Sequence, residues 1–408
     1  MPGSYSRRDF LAGVLATGTL SAAATYFTPG GRTIPPVTLR LVTGVDPTGA
    51  RDLLISMWNQ ANPRTTVAIV EVEGSSVDQR NAMASRVTSR DADILNLDII
   101  DIPYFQSEGY IVPVELEAVE EFLQKPLMPS RLGNSESNQY WAAPFNTDVG
   151  MLFERIATGQ ALPGEPGLAD VIDGLPDGSQ WIAGQLKASS SSSAEAFTIN
   201  ILEHALSRDA EILHPETGMP ARELERWQDS LEPLRTAITK GRLMLGDGEE
   251  DTRNRFRDLR LPYMRNWPVK YRELQMLGDQ DVQASQINVR SLPRGILGGQ
   301  SLALVENSTQ NSRASEFIRF LTSGPAQKIL ASYGLAATKT EAYTDPALTP
   351  FIPHLGDLRG AIEEATPRPV HRNYNDAAQV IFTHTSRLLE EGTALSTRFV
   401  DDLQMAIA

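Results

Sequence analysis

The chain has 408 residues, a net charge of −14, 41% hydrophobic residues and no cysteine. Such an acidic balance argues against nucleic acid or an anionic membrane as the main partner, since both need clustered Lys and Arg. The absence of cysteine excludes disulfides, thiolate metal sites, a Cys nucleophile and a lipid-modified Cys, and the five histidines include no HxxxH or HxH pair, so no metal or cofactor is expected.

The chain opens with MPGSYSRRDFLAGVLATGTLSAAATYF. Arg7 and Arg8 precede an uncharged run from Phe10 to Phe27 that ends in small residues around Ala22–Ala24. A basic start, an apolar middle and a small-residue end have the layout of a cleavable export signal. The paired arginines followed by Phe10 and Leu11 narrow this to the twin-arginine route. The alternative is a disordered or membrane-tethering N-terminus. Residues 1–24 are therefore set apart from the fold; losing Arg7, Arg8 and Asp9 leaves the rest at −15. The expected destination is outside the cytoplasm. About 380 remaining residues are enough for two domains.

Next comes a strand–helix–strand rhythm. Val37–Thr43 is a short β-branched strand, and Arg51–Asn62 is amphipathic through Leu54, Met57 and Trp58 until Asn62-Pro63 ends it. Thr66–Val72 reads as a strand, Asp78–Arg90 as a helix and Ala92–Leu97 as a third strand. Strands alternating with helices predict βαβ units and a parallel sheet covered on both faces, with ligands at the strands' carboxyl ends. Those ends carry Asp46, Glu73, Asp98 and Asp101. The middle is mostly helical, at Ser193–Ser207, Ala221–Arg242 and Asp251–Asp258. Short strand signals stand at Gln180–Ala183 and Leu261–Arg265. The run Ser189–Ser193 reads as a loop and N-cap. Strands return at Gln286–Ser291 and Ser301–Val305, followed by helices to the C-terminus.

Several stretches, in order, resemble one family. NLDIIDIPYFQSEGYIVPV (Asn96–Val114), YWAAPFNTDVGMLFER (Tyr140–Arg155) and RLPYMRNWPVKYREL (Arg260–Leu274) are similar to passages of carbohydrate-type extracellular solute-binding proteins of ABC importers, the maltose- and trehalose-binding group. Leu292–Gln327, Tyr333–Pro346 and Arg368–Ile381 extend the likeness over nearly the whole chain after residue 24. The resemblance implies an α/β, two-lobe fold of the periplasmic-binding-protein type with a hinged interlobe cleft. The lobes are expected as 37–145 plus 297–345, and a helix-rich 146–296 plus 346–408. It also implies a small-molecule ligand, a saccharide above all, importer permease subunits as partners, and a monomer.

Sugars offer hydroxyls around the ring edge and flat C–H faces, so a binder needs carboxylates, amides and aromatic planes. By position and resemblance the candidates are Asp46, Glu73, Asp98 and Asp101; Asn146 and Asp148 at the crossover; Glu195; Asn266 and Trp267; Gly298, Gly299 and Gln300; Thr338; and Arg368. Several have plainer readings. Asp46 and Asp98 fit helix caps, Trp267 fits a core and Glu195 fits a first-turn acid. The chain departs from the resemblance by Asp101 and Gln300 where relatives carry Trp, and by Ser192 or Ser193 where an aromatic precedes the glutamate. Lost stacking platforms and a gained carboxylate point to a smaller or more polar sugar, or a cationic solute. Two rival readings remain: a sensory or scaffold protein with the same fold, and a carboxylate-dependent glycoside-processing enzyme.

Overall fold

The structure, a computed structural model, describes residues 35–132, 139–157, 166–187, 194–276 and 286–408. The expected export signal and the serine run Ser189–Ser193, with Ser192, lie outside the described residues. Along the chain the elements are β1 (Val37–Gly44), α1 (Ala50–Ala61), β2 (Thr65–Val72), α2 (Ser76–Thr88), β3 (Ile94–Asp98), α3 (Ile102–Ser107), β4 (Ile111–Val112), α4 (Gln124–Leu127), β5 (Ala143–Val149) and β6 (Met151–Arg155). Then follow α5 (Leu168–Asp173), β7 (Ile182–Gly184), α6 (Ala194–Arg208), α7 (Leu224–Thr239), β8 (Leu243–Leu245), α8 (Gly248–Asp258), β9 (Tyr263–Asn266), α9 (Val269–Met276) and β10 (Ile287–Ser291). The last elements are β11 (Ile296–Val305), α10 (Asn311–Leu321), α11 (Gly324–Ser332), β12 (Ala336–Ala337), α12 (Leu355–Glu364), β13 (Thr366–Pro367), α13 (Tyr374–Glu391) and α14 (Thr397–Ala406).

The chain divides into two compact units. The first takes the described residues up to Glu73, with Asp78–Thr147 and Gly299–Leu355; the second takes Gly74–Val77, Asp148–Gly298 and Gly356–Ala408. In the first unit the strand order is β12-β5-β11-β3-β1-β2. β1 lies parallel to β2 and β3, as a βαβ rhythm requires. The sheet as a whole is mixed, because β11 runs antiparallel to β3 and β12 antiparallel to β5. Leu39, Leu41, Leu54, Ile94, Phe145, Leu302 and Phe317 form its core. Trp58 of α1 meets Phe317 edge to face at 5.2 Å and donates its indole N–H to the Thr65 carbonyl at 2.7 Å.

The second unit has the order β10-β6-β9-β7-β8. β6 is antiparallel to β9 and β10, and β7 is parallel to β8 and β9. Its core gathers Leu152, Phe197, Leu202, Trp227, Leu231, Tyr263 and Phe399, with Trp227 and Phe399 edge to face at 5.3 Å. The helices named from the sequence stand within a few residues of the observed ones. The strand expected from Ser301 starts five residues earlier, at Ile296. The reason is tertiary: Ile296 and Leu297 pair with Thr366 and Pro367, about seventy residues on.

That extension places Gly298 and Gly299 inside a strand. Gly299 has φ +130, and a Cβ there would lie 2.4 Å from the Asn146 carbonyl oxygen. Its conformation and its neighbour both demand glycine. Gly360, by contrast, is exposed in α12 with open space where a Cβ would stand. Gly299→Ala is expected to lower the unfolding free energy by more than ~2 kcal/mol, and Gly360→Ala to raise it by ~0.5–1 kcal/mol. Denaturant unfolding of both variants checks this; a neutral Gly299→Ala would refute the close approach.

His204 on α6 is 1% exposed, and burial pushes its imidazole down to about 3. The unfolded chain takes up that proton near pH 6.5, so it binds more protons than the native state below that value. Stability should be full above pH 6.5 and fall as pH drops towards 3, by up to ~1.4 kcal/mol per pH unit. His204→Leu should flatten the stability profile between pH 6.5 and 4, as read by urea unfolding at each pH.

Candidate functional site

In the first unit, Asp46 follows β1 and turns inward on its own helix start. Its carboxylate accepts from the Thr48 amide at 2.9 Å, the Thr48 hydroxyl at 2.6 Å and the Arg51 amide at 3.0 Å. Asp46 thus satisfies a first-turn amide as a capping side chain would, although the N-cap position itself is Gly49. Glu73 is exposed just beyond β2. Asp98 ends β3 half-buried, with Oδ1 accepting from the Ile100 amide at 3.2 Å, and Asp101 is buried at the start of α3. Gln300 stands opposite Asp98 across the β3–β11 ladder and accepts from the Asn96 amide at 2.7 Å. Asn96 also donates to the Thr43 hydroxyl at 3.1 Å. The sequence reading passed over Asn96, an amide set between Leu95 and Leu97 in β3. Asn146 is buried on β5, its carbonyl against Gly299.

Thr338 plays a different part from the one expected. It is 0% exposed; its hydroxyl donates towards the Pro144 carbonyl and Gln327 Oε1, each at 3.1 Å, and its amide donates to Gln327 Oε1 at 2.7 Å. Both polar groups are engaged within the frame, fastening β12 to β5, because a buried hydroxyl must find its partner inside.

In the second unit the chain draws Asp148, Gly298 and Trp267 together. A Cβ at Gly298 would lie 3.3 Å from the Asp148 Cβ and 3.6 Å from two carbons of the Trp267 ring. A side chain there would crowd Asp148 by a few tenths of an ångström and meet the Trp267 ring at ordinary van der Waals distance. Trp267 is half-buried just past β9, and its indole N–H donates to Glu249 Oε1 at 2.7 Å. Asn266, fully buried, shapes the turn: it accepts from the Trp267 amide at 2.9 Å and donates to the Glu249 carbonyl at 3.0 Å. Elsewhere in this unit Glu195, in the first turn of α6, accepts from Arg368 at 2.6 Å and from the Tyr374 hydroxyl at 2.8 Å. Two residues named separately from the sequence are thus partners of each other.

Below Trp267 lies a buried polar network that the sequence reading missed. Arg265 of β9 and Glu203 of α6 are joined at 2.5 and 2.6 Å, with side chains 1% and 3% exposed. Arg265 also donates to Gln185 Oε1 at 3.2 Å, and Glu203 accepts from the Ile296 amide at 3.2 Å. The Arg265 guanidinium lies 4.2 Å from the centre of the Trp267 ring. One signal was there to be read: Glu203 stands with Asn200 and His204 among Ile199, Ile201, Leu202, Ala205 and Leu206, where an acid needs a buried partner. Gly150, between β5 and β6, abuts this pair; a Cβ there would lie 2.3 Å from Glu203 and 2.7 Å from Arg265. Gly150→Ala is expected to cost ~1–3 kcal/mol by overpacking, with a lowered melting temperature in calorimetry.

No family model matches the chain. A probable ABC transporter-binding protein of Deinococcus radiodurans is 29% identical over 167 residues, 37% of this chain and 39% of that protein. The chain thus matches about two fifths of the length of that curated relative. Among solved structures, the maltose-bound MalE3 of T. maritima has a TM-score of 0.75 at 22% identity, over 91% of this chain and 98% of that one. The GacH receptor of Streptomyces glaucescens, described unliganded and with acarbose, has a TM-score of 0.75 at 14% identity over 92% and 99%. A solute-binding protein of Agrobacterium vitis with bound D-mannitol has a TM-score of 0.69 at 17% identity over 90% and 96%. At these identities the likeness is one of fold, and it runs nearly end to end: the chain has the two-unit α/β fold of the solute-binding proteins of ABC transporters.

Proposed function

We propose that this protein is the extracytoplasmic substrate-binding component of an ABC importer and that it captures a sugar or a related polar solute. The observation that supports this best is the likeness of fold over 91% of the chain to a protein described as maltose-bound. The local chemistry agrees with it. Trp267 offers an aromatic plane tied by its edge to Glu249, while Asp98, Asp148 and Gln300 supply half-buried acceptors and an amide. Each unit, taken by itself, thus offers groups of the kinds a polyhydroxylated ring needs. Polar residues at Asp101 and Gln300 favour a small or strongly hydroxylated ligand over a long oligosaccharide. The role is capture without turnover, with permease subunits receiving the solute. Export through the twin-arginine route, read from Arg7 and Arg8, is part of the same proposal. Among the described residues no helix is long and apolar enough to cross a membrane.

A thermal-shift screen over monosaccharides, disaccharides and polyols should yield a stabilising ligand, since one at 100 times its Kd adds ~2.7 kcal/mol. With that ligand, Asp98→Asn and Trp267→Ala should each weaken binding about tenfold or more, the loss of a charged hydrogen-bond acceptor or of a stacking plane. Titration calorimetry reads this, alongside a melt of the unliganded variants. An Asp98→Asn protein that melts early and binds normally would confine Asp98 to its turn with Ile100. Chemical turnover of the ligand would replace the binding-protein reading by an enzymatic one.

A further inference from the structure

Burying a charged pair is costly, and apolar side chains of similar size commonly serve stability as well or better. Arg265 and Glu203 are nevertheless placed in the interior of the second unit and held by more bonds than the pair itself. Glu203 Oε1 accepts from Arg265 Nη2 and from the Ile296 amide, and Oε2 accepts from Arg265 Nε. Gln185 accepts from Arg265 Nη1 and donates back to the Arg265 carbonyl at 3.1 Å. Gln185 is in turn fixed by Asn200, at 2.5 Å between side chains and 3.1 Å to its backbone amide. The plane of the guanidinium therefore has no freedom to turn. Arg265 lies on β9 and Trp267 in the turn just past it, which brings the indole over the guanidinium. The fixed cation consequently lies against the indole, 4.2 Å from its centre. The ring is thus held twice, at its N–H edge by Glu249 and over its plane by Arg265.

We propose that Arg265, locked by Glu203 and Gln185, is the positioning residue for Trp267, setting the indole in its binding orientation before ligand arrives. The gain is in preorganisation: an aromatic plane already immobile loses no rotamer freedom on binding. Arg265 does not itself touch ligand. The proposal rests on the solute-binding reading for its effect on affinity, and stands apart from it for the state of the free ring.

The test compares wild type with Arg265→Lys, which keeps the charge and loses the planar fork, and with the double variant Glu203→Leu/Arg265→Met, which removes both charges together. Folding is checked by thermal melting. The first readout is hydrogen exchange of the Trp267 indole N–H, measured by NMR on the unliganded protein and assigned by its loss in Trp267→Phe. It should speed up about tenfold or more in either folded variant, while the other four of the five indoles keep their rates; a purely structural role would leave the Trp267 rate unmoved. The second readout is affinity for maltose and D-mannitol by calorimetry, expected to fall about tenfold for whichever of the two binds wild type. Wild-type exchange in a folded variant overturns the proposal, and so does wild-type affinity. If neither sugar binds wild type, the affinity readout lapses and with it support for these two as ligands, and the exchange rate alone decides whether Arg265 positions the ring.

Discussion

The close approach of β11 to β5 is the constraint on which the rest of the architecture depends. At Gly299 the backbone takes φ +130, and any side chain would be driven into the Asn146 carbonyl. Because no Cβ intervenes, β11 can lie beside β5 while pairing with β3 through Gln300–Leu304, with β4 through Leu304 and Val305, and with β13 through Ile296 and Leu297. One strand of ten residues thereby supplies pairing to both units. Gly299, read from the sequence as a place for close ligand approach, is in the structure a condition for strand packing. One residue earlier, Gly298 packs closely against Asp148 and within van der Waals contact of Trp267.

Polar groups inside each unit follow the accounting rule that buried donors and acceptors must be satisfied. In the first unit, Gln327 donates to the Phe145 and Leu321 carbonyls at 2.8 and 3.2 Å and accepts from Thr338, so one amide stitches β5, β12 and the end of α10. In the second, Gln185 and Asn200 brace the ion pair of Arg265 and Glu203. These networks cost burial free energy and return geometric definition. Their return is largest where they adjoin groups of the candidate site, as Arg265 adjoins Trp267.

On the proposed solute-binding reading, charge and aromatic content bear on what could be bound. Where the resembled family carries Trp, this chain has Asp101, buried beside α3, and Gln300, half-buried and bonded to Asn96. The aromatic planes given up are thus replaced by polar groups. Trp267 remains, and its setting between a carboxylate edge and a guanidinium face gives it a fixed orientation.

By itself the sequence determined what is local. The helices and strands of the first hundred residues were legible from periodicity and from the Asn62-Pro63 stop, and Asn266-Trp267-Pro268 was legible as a turn, because these depend on neighbours a few residues apart. Net charge and the absence of cysteine settled which chemistries were out of reach. Only the tertiary structure decided which polar side chain meets which. Glu195 meets Arg368 across 173 residues and Glu203 meets Arg265 across 62. Thr338 closes on Pro144 across 194 residues. No periodicity encodes such pairings. They arise when helices and strands have packed and each buried polar atom must find a partner at hydrogen-bond distance. For the same reason β11 begins at Ile296 and not at Ser301: its first residues are strand because Thr366 and Pro367 lie beside them.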